Sequence, residues 1–331
     1  MENMSVLVTG GAGYIGSHVT LALVESGYQV TIIDNLSTGN VKVIPSECQF
    51  IEGNVGDSDL VSNVLRDNGI QSVLHFAGSI IVEESVSDPL KYYRNNTSVS
   101  RSLIQSCVDN NVNKFIFSST AAVYGNPEKV PAVESDPTNP INPYGASKLM
   151  TERVLSDVAN ACDLNFVALR YFNVAGADPQ QRTGQIIKNA THLIKVACET
   201  ALGERESITI FGNDYDTPDG TCIRDYIHVS DLATAHVKAL EFLEENKMSK
   251  ILNCGYGTGY SVSQVLDTLQ RITGEKLNII EGPRRAGDSE EIVADNTLIL
   301  SNLDWQPQYQ DLEKIISDAL KWEKLNYPTP A

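Results

Sequence analysis

The sequence predicts an α/β protein, with a doubly wound parallel sheet followed by a smaller C-terminal α/β domain. Three observations carry this. Six short apolar runs alternate with helical patterns through the first half. Several of these runs are almost continuously apolar, as parallel strands covered on both faces require. The second half changes character, with turn-rich stretches at 212–220, 255–259 and 282–287 between helical patterns.

The predicted strands are Ser5–Thr9, Gln29–Asp34, Gln49–Glu52, 72–76, 114–118 and 166–171. Between the first two, residues 15–26 place Ile15, Val19, Ala22 and Leu23 on one helical face, and Gly27 stops the helix. Val262–Thr273 reads as a helix of the second half. The change of character near Gly176 predicts two domains, 1–175 and 176–331. No internal repeat or low-complexity tract interrupts them. The tail 327–331, with two prolines, is expected to fray.

Composition narrows the function. The chain has 331 residues, 42% apolar and 20% charged, enough for a sizeable core. Twenty-five basic against 42 acidic residues give a net charge of −17. Such a surface repels nucleic acid and anionic membranes, but accepts an anionic small molecule where a few cations gather. Six scattered cysteines without a CxxC pair read as free thiols in a reducing cytoplasm, and no metal site is expected. The start, Met1-Glu2-Asn3-Met4, has no signal-peptide pattern, and no apolar run approaches membrane-spanning length. A cytoplasmic protein is expected.

The segment Val6-Leu7-Val8-Thr9-Gly10-Gly11-Ala12-Gly13-Tyr14-Ile15-Gly16 carries glycines at 10, 13 and 16, between a strand and an amphipathic helix. Gly10 suits a tight turn. Gly13 lets the backbone approach a pyrophosphate, and Gly16 lets the helix pack closely. This is the Rossmann arrangement, so the second domain is expected to carry the substrate. Asp34 closes the second strand, where a carboxylate accepts hydrogen bonds from ribose hydroxyls and repels a 2′-phosphate. It points to NAD over NADP; the alternative is a plain turn aspartate. A second glycine run, Gly255-Tyr256-Gly257-Thr258-Gly259, has no acidic residue closing a following βαβ unit and reads as a loop.

Asn142-Pro143-Tyr144-Gly145-Ala146-Ser147-Lys148 reads as a helix start, with Asn142 as N-cap and Pro143 at the first position. Tyr144 and Lys148 then share a face. A phenol is a poor base at pH 7; a nearby ammonium and a cationic nicotinamide both favour the phenolate. Alternatively the two form an ordinary surface pair. Thr120 ends the strand at 114–118 at its carboxyl side, where α/β ligands sit. Its hydroxyl is placed to meet a substrate hydroxyl, or else to cap the next turn.

These residues, with His75-Phe76-Ala77-Gly78 and Arg170-Tyr171-Phe172-Asn173, resemble the extended short-chain dehydrogenase/reductases. Phe211-Gly212-Asn213-Asp214-Tyr215, Asp219-Gly220-Thr221, the run from Arg224 to Val229 and the run from Pro283 to Asp288 look like the UDP-glucose 4-epimerase branch. The resemblance runs from about residue 5 to 325. It implies Tyr144 as acid/base, Lys148 orienting it and binding nicotinamide ribose, and Thr120 as hydroxyl partner. It implies tightly held NAD, lined by Gly10, Gly13, Tyr14, Ile15, Gly16, Asp34, Asn35, Val55, Phe76, Ala77, Asn95, Lys148 and Tyr171. Thr120 and Tyr144 also meet the sugar. Asn173, Leu193, Phe211, Arg224, Tyr226, Arg285 and Asp288 hold the UDP-sugar. Two arginines suit a diphosphate, an aromatic suits uracil, and an aspartate suits ribose.

The chain departs from that pattern in places. Asn54-Val55 stand where many members have Asp-Ile. Ser79-Ile80-Ile81 replace a loop that carries a lysine in some members, and His192 aligns with an asparagine. The implied reaction is 4-epimerisation through a transient 4-keto sugar, with NAD regenerated each turn. Thr120-Ala121-Ala122 lacks the carboxylate that dehydratases and decarboxylases keep there, and an intact Tyr144, Lys148 and Thr120 argue against a non-catalytic NAD sensor. Glucose/galactose is the first expectation, with N-acetylated hexoses and pentoses open. Ile292, four residues after Asp288, falls at the family's gate beside the hexose, or else in a strand core. Helices around 89–107 and 144–161 resemble those that pair as a four-helix bundle, which implies a homodimer.

Overall fold

The computed structural model describes residues 4–187, 190–285 and 288–326. The tail 327–331 lies outside the described residues, as do residues 1–3. The first half runs β1 (Ser5–Thr9), α1 (Tyr14–Glu25), β2 (Gln29–Asp34), β3 (Gln49–Glu52), α2 (Ser58–Asp67), β4 (Ser72–His75), α3 (Val82–Ser87), α4 (Pro89–Tyr92), a wide π-type segment at Tyr93–Ser98, α5 (Val99–Asp109), β5 (Lys114–Thr120), α6 (Pro143–Ala161) and β6 (Asn165–Tyr171). The strands match the expected runs within two residues. α1 begins and ends one residue early, closed by Gly27 with N–H bonds back to Val24 and, from Tyr28, to Leu23. α6 starts as its sequence requires: Asn142 Oδ1 accepts the Gly145 N–H at 2.9 Å, with Pro143 in the first turn.

The second half runs β7 (Asn173–Ala175), α7 (Leu193–Ala201), β8 (Ile208–Phe211), β9 (Ile223–His228), α8 (Val229–Glu245), β10 (Lys250–Cys254), β11 (Gly259–Ser261), α9 (Val262–Thr273), β12 (Ile279–Gly282), β13 (Glu291–Ile292), α10 (Thr297–Asn302) and α11 (Leu312–Asn326). The main sheet is parallel, in the order β10-β6-β5-β4-β1-β2-β3. Its inner strands are buried on both faces, while the edge strand β3 is partly exposed. In β1, Val6 and Val8 join the core shared with α1 and α8, while Leu7 joins the core shared with α2 and α5. α8 and β10 come from beyond position 175, yet α8 packs on α1 and β10 extends the first sheet.

β9 organises the second half. It pairs with β11, β13 and β7. The register sets Arg224 beside Ile292, and Tyr226 beside Asn173. Between them, the buried Asp225 carboxylate accepts N–H bonds from Tyr256, Gly257 and Ala294 at 2.9–3.2 Å. The second glycine run thus holds an anion of the protein itself, and its last glycine begins β11. All six cysteines are free thiols. Among the described residues, no helix is long and apolar enough to cross a membrane, and no cluster of metal-ligating side chains occurs.

Candidate active site

A cleft of about 700 Å³ opens at the carboxyl ends of β1, β2, β4, β5 and β6, and the second half of the chain forms its other wall. Each residue expected to hold a dinucleotide lines it: Gly10, Gly13, Tyr14, Ile15, Gly16, Asp34, Asn35, Val55, Phe76, Ala77, Asn95, Lys148 and Tyr171. The loop after β1 is built for close approach. Gly10 has φ +74°, and a Cβ there would stand 2.6 Å from the Ala77 nitrogen; a Cβ on Gly16 would stand 2.2 Å from the Gly10 carbonyl oxygen. Gly13 caps α1 without a side-chain hydrogen bond, and the first turn carries no acidic residue. The N–H groups and positive dipole end there suit a pyrophosphate, so these residues fit NAD.

The Asp34 carboxylate is held by the backbone on both oxygens. Its Oδ2 accepts the Ala12 N–H at 3.0 Å and its Oδ1 the Leu36 N–H at 2.8 Å, so it is a turn aspartate and also faces the cleft. Asn54 also lines the cleft, with Oδ1 accepting the Gly56 N–H at 2.8 Å. The Ser79-Ile80-Ile81 loop is held by asparagines of the π-type segment. Asn96 Oδ1 accepts the Ser79 N–H at 2.7 Å, and Asn95 donates to Ser79 Oγ at 3.1 Å. The cleft cation beside this loop is Lys91, paired with Glu84 at 2.6 Å.

Thr120, Tyr144 and Lys148 meet in the same cleft. Burial pushes Tyr144 above the ordinary phenol range, and the Thr120 hydroxyl beside it pulls the other way. The expected help from the neighbouring ammonium takes a different form. Lys148 Nζ donates to the Ser118 carbonyl at 2.9 Å and lies 5.0 Å from the Phe117 ring centre. Burial brings its pKa down to about 8. Desolvation is thus the largest influence on both groups. The Tyr92 ring meets Tyr144 edge-on at 6.4 Å, while the Tyr92 hydroxyl donates to Ile81 O and Glu84.

The nucleotide-sugar residues divide. Asn173, Arg224 and Asp288 line the cleft with Thr120 and Tyr144. Leu193 and Tyr226 line an adjoining cavity of about 30 Å³, which Tyr14, Asn173 and His192 also touch. Phe211 and Arg285 line neither. Arg285 lies 3.8 Å over the Phe211 ring and pairs with Glu83 of α3 at 3.1 Å, which draws both aside. Arg224 pairs with Asp288 at 3.4 Å and donates to Ser289 O at 2.6 Å. Ala286 and Gly287 of this motif lie outside the described residues. His192 stands in the cleft with Nδ1 2.7 Å from Gln185 Nε2; because the amide donates, the ring proton is assigned to Nε2. Burial, then Lys195, hold this ring below the usual histidine range. Ile292 lines the cleft and also belongs to a small core with Ala121, Val123, Tyr124 and Phe172.

Sequence reasoning passed over three features. Ser118 receives Lys148 on its carbonyl, and its hydroxyl bonds the Tyr171 phenol. Asn96 ties the loop after β4 to Ser147 of α6 at 3.1 Å. Glu152 forms a buried bidentate pair with Arg170 at 2.9 and 2.7 Å. The signal for Glu152 was its spacing, four residues after Lys148 on the same helical face. Removing one partner of such a pair costs about 3–5 kcal/mol, because the other charge stays buried.

Residues 6–255 match the NAD dependent epimerase/dehydratase family. The UDP-glucose 4-epimerase of Azospirillum brasilense is 54% identical over 96% of this chain and 92% of its own. The solved UDP-glucose 4-epimerase of Brucella ovis in complex with NAD superposes with a TM-score of 0.93 at 43% identity, covering 96% of this chain and 98% of that one. The UDP-Glc/GlcNAc 4-epimerase of Campylobacter jejuni gives 0.85 at 45% identity, covering 97% and 99%.

Proposed function

Because the chain belongs to the NAD dependent epimerase/dehydratase family, we propose that it interconverts UDP-glucose and UDP-galactose by inverting the sugar at C4. It is an isomerase with NAD as its cofactor. The observation that carries the reading is the meeting of Thr120, Tyr144 and Lys148 with the glycine loop on one side of a cleft and Arg224 and Asp288 on the other. NAD, which the glycine loop, Asp34 and Lys148 would hold, would supply a reversible hydride acceptor for C4 of the sugar. Tyr144 accepts the proton of the 4-hydroxyl as C4 becomes a carbonyl, and gives it back when the alcohol re-forms. Thr120 donates a hydrogen bond that favours the phenolate. Lys148, anchored on Ser118, supplies positive charge near the ribose of the cofactor. Arg224 grips the diphosphate after exchanging its Asp288 partner, which frees the carboxylate for uridine ribose. Arg285 makes the same exchange away from Glu83, uncovering Phe211 for the base. Binding through UDP leaves the hexose loosely held and able to turn.

In this reading residues 1–175 carry NAD and 176–331 the nucleotide sugar, with α8 and β10 returning to support the first sheet. The protein is a homodimer. Exposed apolar side chains on the proposed helices support this, with Leu90 at 78% and Met150 at 47% exposure. The purified protein is given UDP-glucose, UDP-N-acetylglucosamine or UDP-xylose without added NAD, and products are resolved by chromatography. UDP-galactose forms from UDP-glucose. Turnover of UDP-xylose or the N-acetylated sugar alone would move the assignment to those substrates, and no turnover of any would overturn it.

A further inference from the structure

Tyr144, Lys148 and Glu152 follow one another at intervals of four along α6 and so share one stripe of the helix. The first two carry the chemistry of the proposed reaction. The third turns into the protein and grips one rung of the sheet. Glu152 Oε1 accepts the Ser119 hydroxyl at 2.5 Å and Arg170 Nε at 2.9 Å, while Oε2 accepts Arg170 Nη2 at 2.7 Å. Ser119 and Arg170 are register partners across β5 and β6. The next rung of the same ladder is Thr120 beside Tyr171. The helix that carries Tyr144 is thus clamped one residue from the rung that carries its hydroxyl partner.

We propose that Glu152 and Arg170, with Ser119, are positioning residues that set the depth and rotation of α6, and through it the approach of Tyr144 to Thr120. This rests on the proposed roles of those two residues. A two-point fork between a planar guanidinium and a carboxylate admits one geometry, which a single-point contact does not. The side chains are only 5% and 2% exposed, so the pair is fully desolvated. A desolvated pair adds little net stability over apolar residues of similar volume, so its value lies in geometry. The clamp also reaches the far wall. Arg170 Nη1 donates to the Tyr124 hydroxyl at 3.0 Å, and that hydroxyl donates to Asn253 Oδ1 on β10 at 2.7 Å. Tyr124 packs in the small core that holds Ile292. One buried network therefore sets the catalytic helix and one cleft wall together.

The test uses three variants of the full chain: Arg170→Lys, which keeps the charge and loses the fork; the double Glu152→Gln/Arg170→Met, which removes both charges; and Ser119→Ala, which removes one arm. Melting temperature, retained NAD, kcat and KM for the epimerised UDP-sugar are read for each, beside Tyr144→Phe. A displacement of about 1 Å at a catalytic group costs up to a hundredfold. The fork variants are therefore expected to lose about tenfold to a hundredfold in kcat. KM stays within threefold, and NAD content stays at the wild-type level. Ser119→Ala loses less, about threefold to tenfold, by the same argument. A folded fork variant with kcat within twofold of wild type overturns the proposal, and so does a kcat loss matched by loss of NAD. Should neither fork variant fold, an unchanged kcat in Ser119→Ala overturns it. Full turnover in Tyr144→Phe would instead overturn the assignment of the base, a separate failure.

Discussion

The Lys148 ammonium donates to the Ser118 carbonyl oxygen at 2.9 Å, at the end of the strand that also carries Thr120. This fixes the cation in the sheet and leaves the Tyr144 hydroxyl to its threonine neighbour. Burial pushes Tyr144 up, and Thr120 pulls it down. Thr120→Val removes the pull. The phenolate then forms only at higher pH, so the acid limb of the kcat–pH profile moves upward, and activity lost at pH 7 returns on the alkaline side. Steady-state rates across pH decide this; a limb that stays in place or moves downward refutes it.

Tyr144→Phe keeps the ring and its edge contact with Tyr92 but removes the hydroxyl proposed as acid/base. Turnover is expected to fall about a hundredfold or more, the usual scale for general acid–base loss. Turnover within threefold of wild type identifies another group as the base.

Asp34 sets a carboxylate at the end of β2 in the cleft, where the proposed reading places the adenosine ribose. Denatured protein is expected to release NAD, and identification of NADP would contradict the assignment. Asp34→Ala also frees the Ala12 and Leu36 N–H groups, and hydrogen bonds to a charged group contribute about 1.5–3 kcal/mol each. A lower melting temperature should accompany the lost cofactor.

Ile292 reaches the cleft from β13 while packed against Phe172 and Tyr124. An acetamido group pressed onto this wall must displace a packed neighbour at about 1–3 kcal/mol. That corresponds to roughly 5–150-fold in specificity. Wild-type protein is therefore expected to prefer UDP-glucose and UDP-galactose to their N-acetylated counterparts, and Ile292→Ser to relax the preference. Equal kcat/KM for both pairs in the wild type removes the argument.

Light scattering at micromolar concentration is expected to give twice the 36.1 kDa of one chain. A single-chain mass rules out the dimer.

The first sheet was legible because its strands are locally punctuated. Apolar runs such as Val6-Leu7-Val8 have no polar face to confuse with a helix, and Gly27 and Asn142 mark helix ends by their own chemistry. The glycine loop and Asp34 were legible from their own chemistry, whereas the other cofactor residues came only through the family resemblance. Long-range pairing was not legible. Nothing local in Lys250–Cys254 says that it lies beside β6, more than eighty positions earlier in the chain. Partner choice was also hidden. Arg285, which the resemblance assigns to the nucleotide sugar, lies on Phe211 beside Glu83 in the protein alone, because a guanidinium settles on whichever carboxylate and ring are within reach. The pairing of Glu152 with Arg170 was missed for the same reason: nothing local joins a helix carboxylate to a strand guanidinium until α6 packs on the sheet.

The place of β10 in the main sheet has a consequence for biosynthesis. A nascent chain that has emerged only as far as residue 175 presents β6 as a bare edge, its outward N–H and C=O groups unpaired and its α8 cover not yet made. That edge is a template for any passing strand until residue 254 leaves the ribosome. At about 5–20 residues per second, the 79 residues from 176 to 254 take roughly 4–16 s to emerge. During those seconds the protein depends on chaperones or on a low local concentration of its own kind, although the finished molecule has that edge covered.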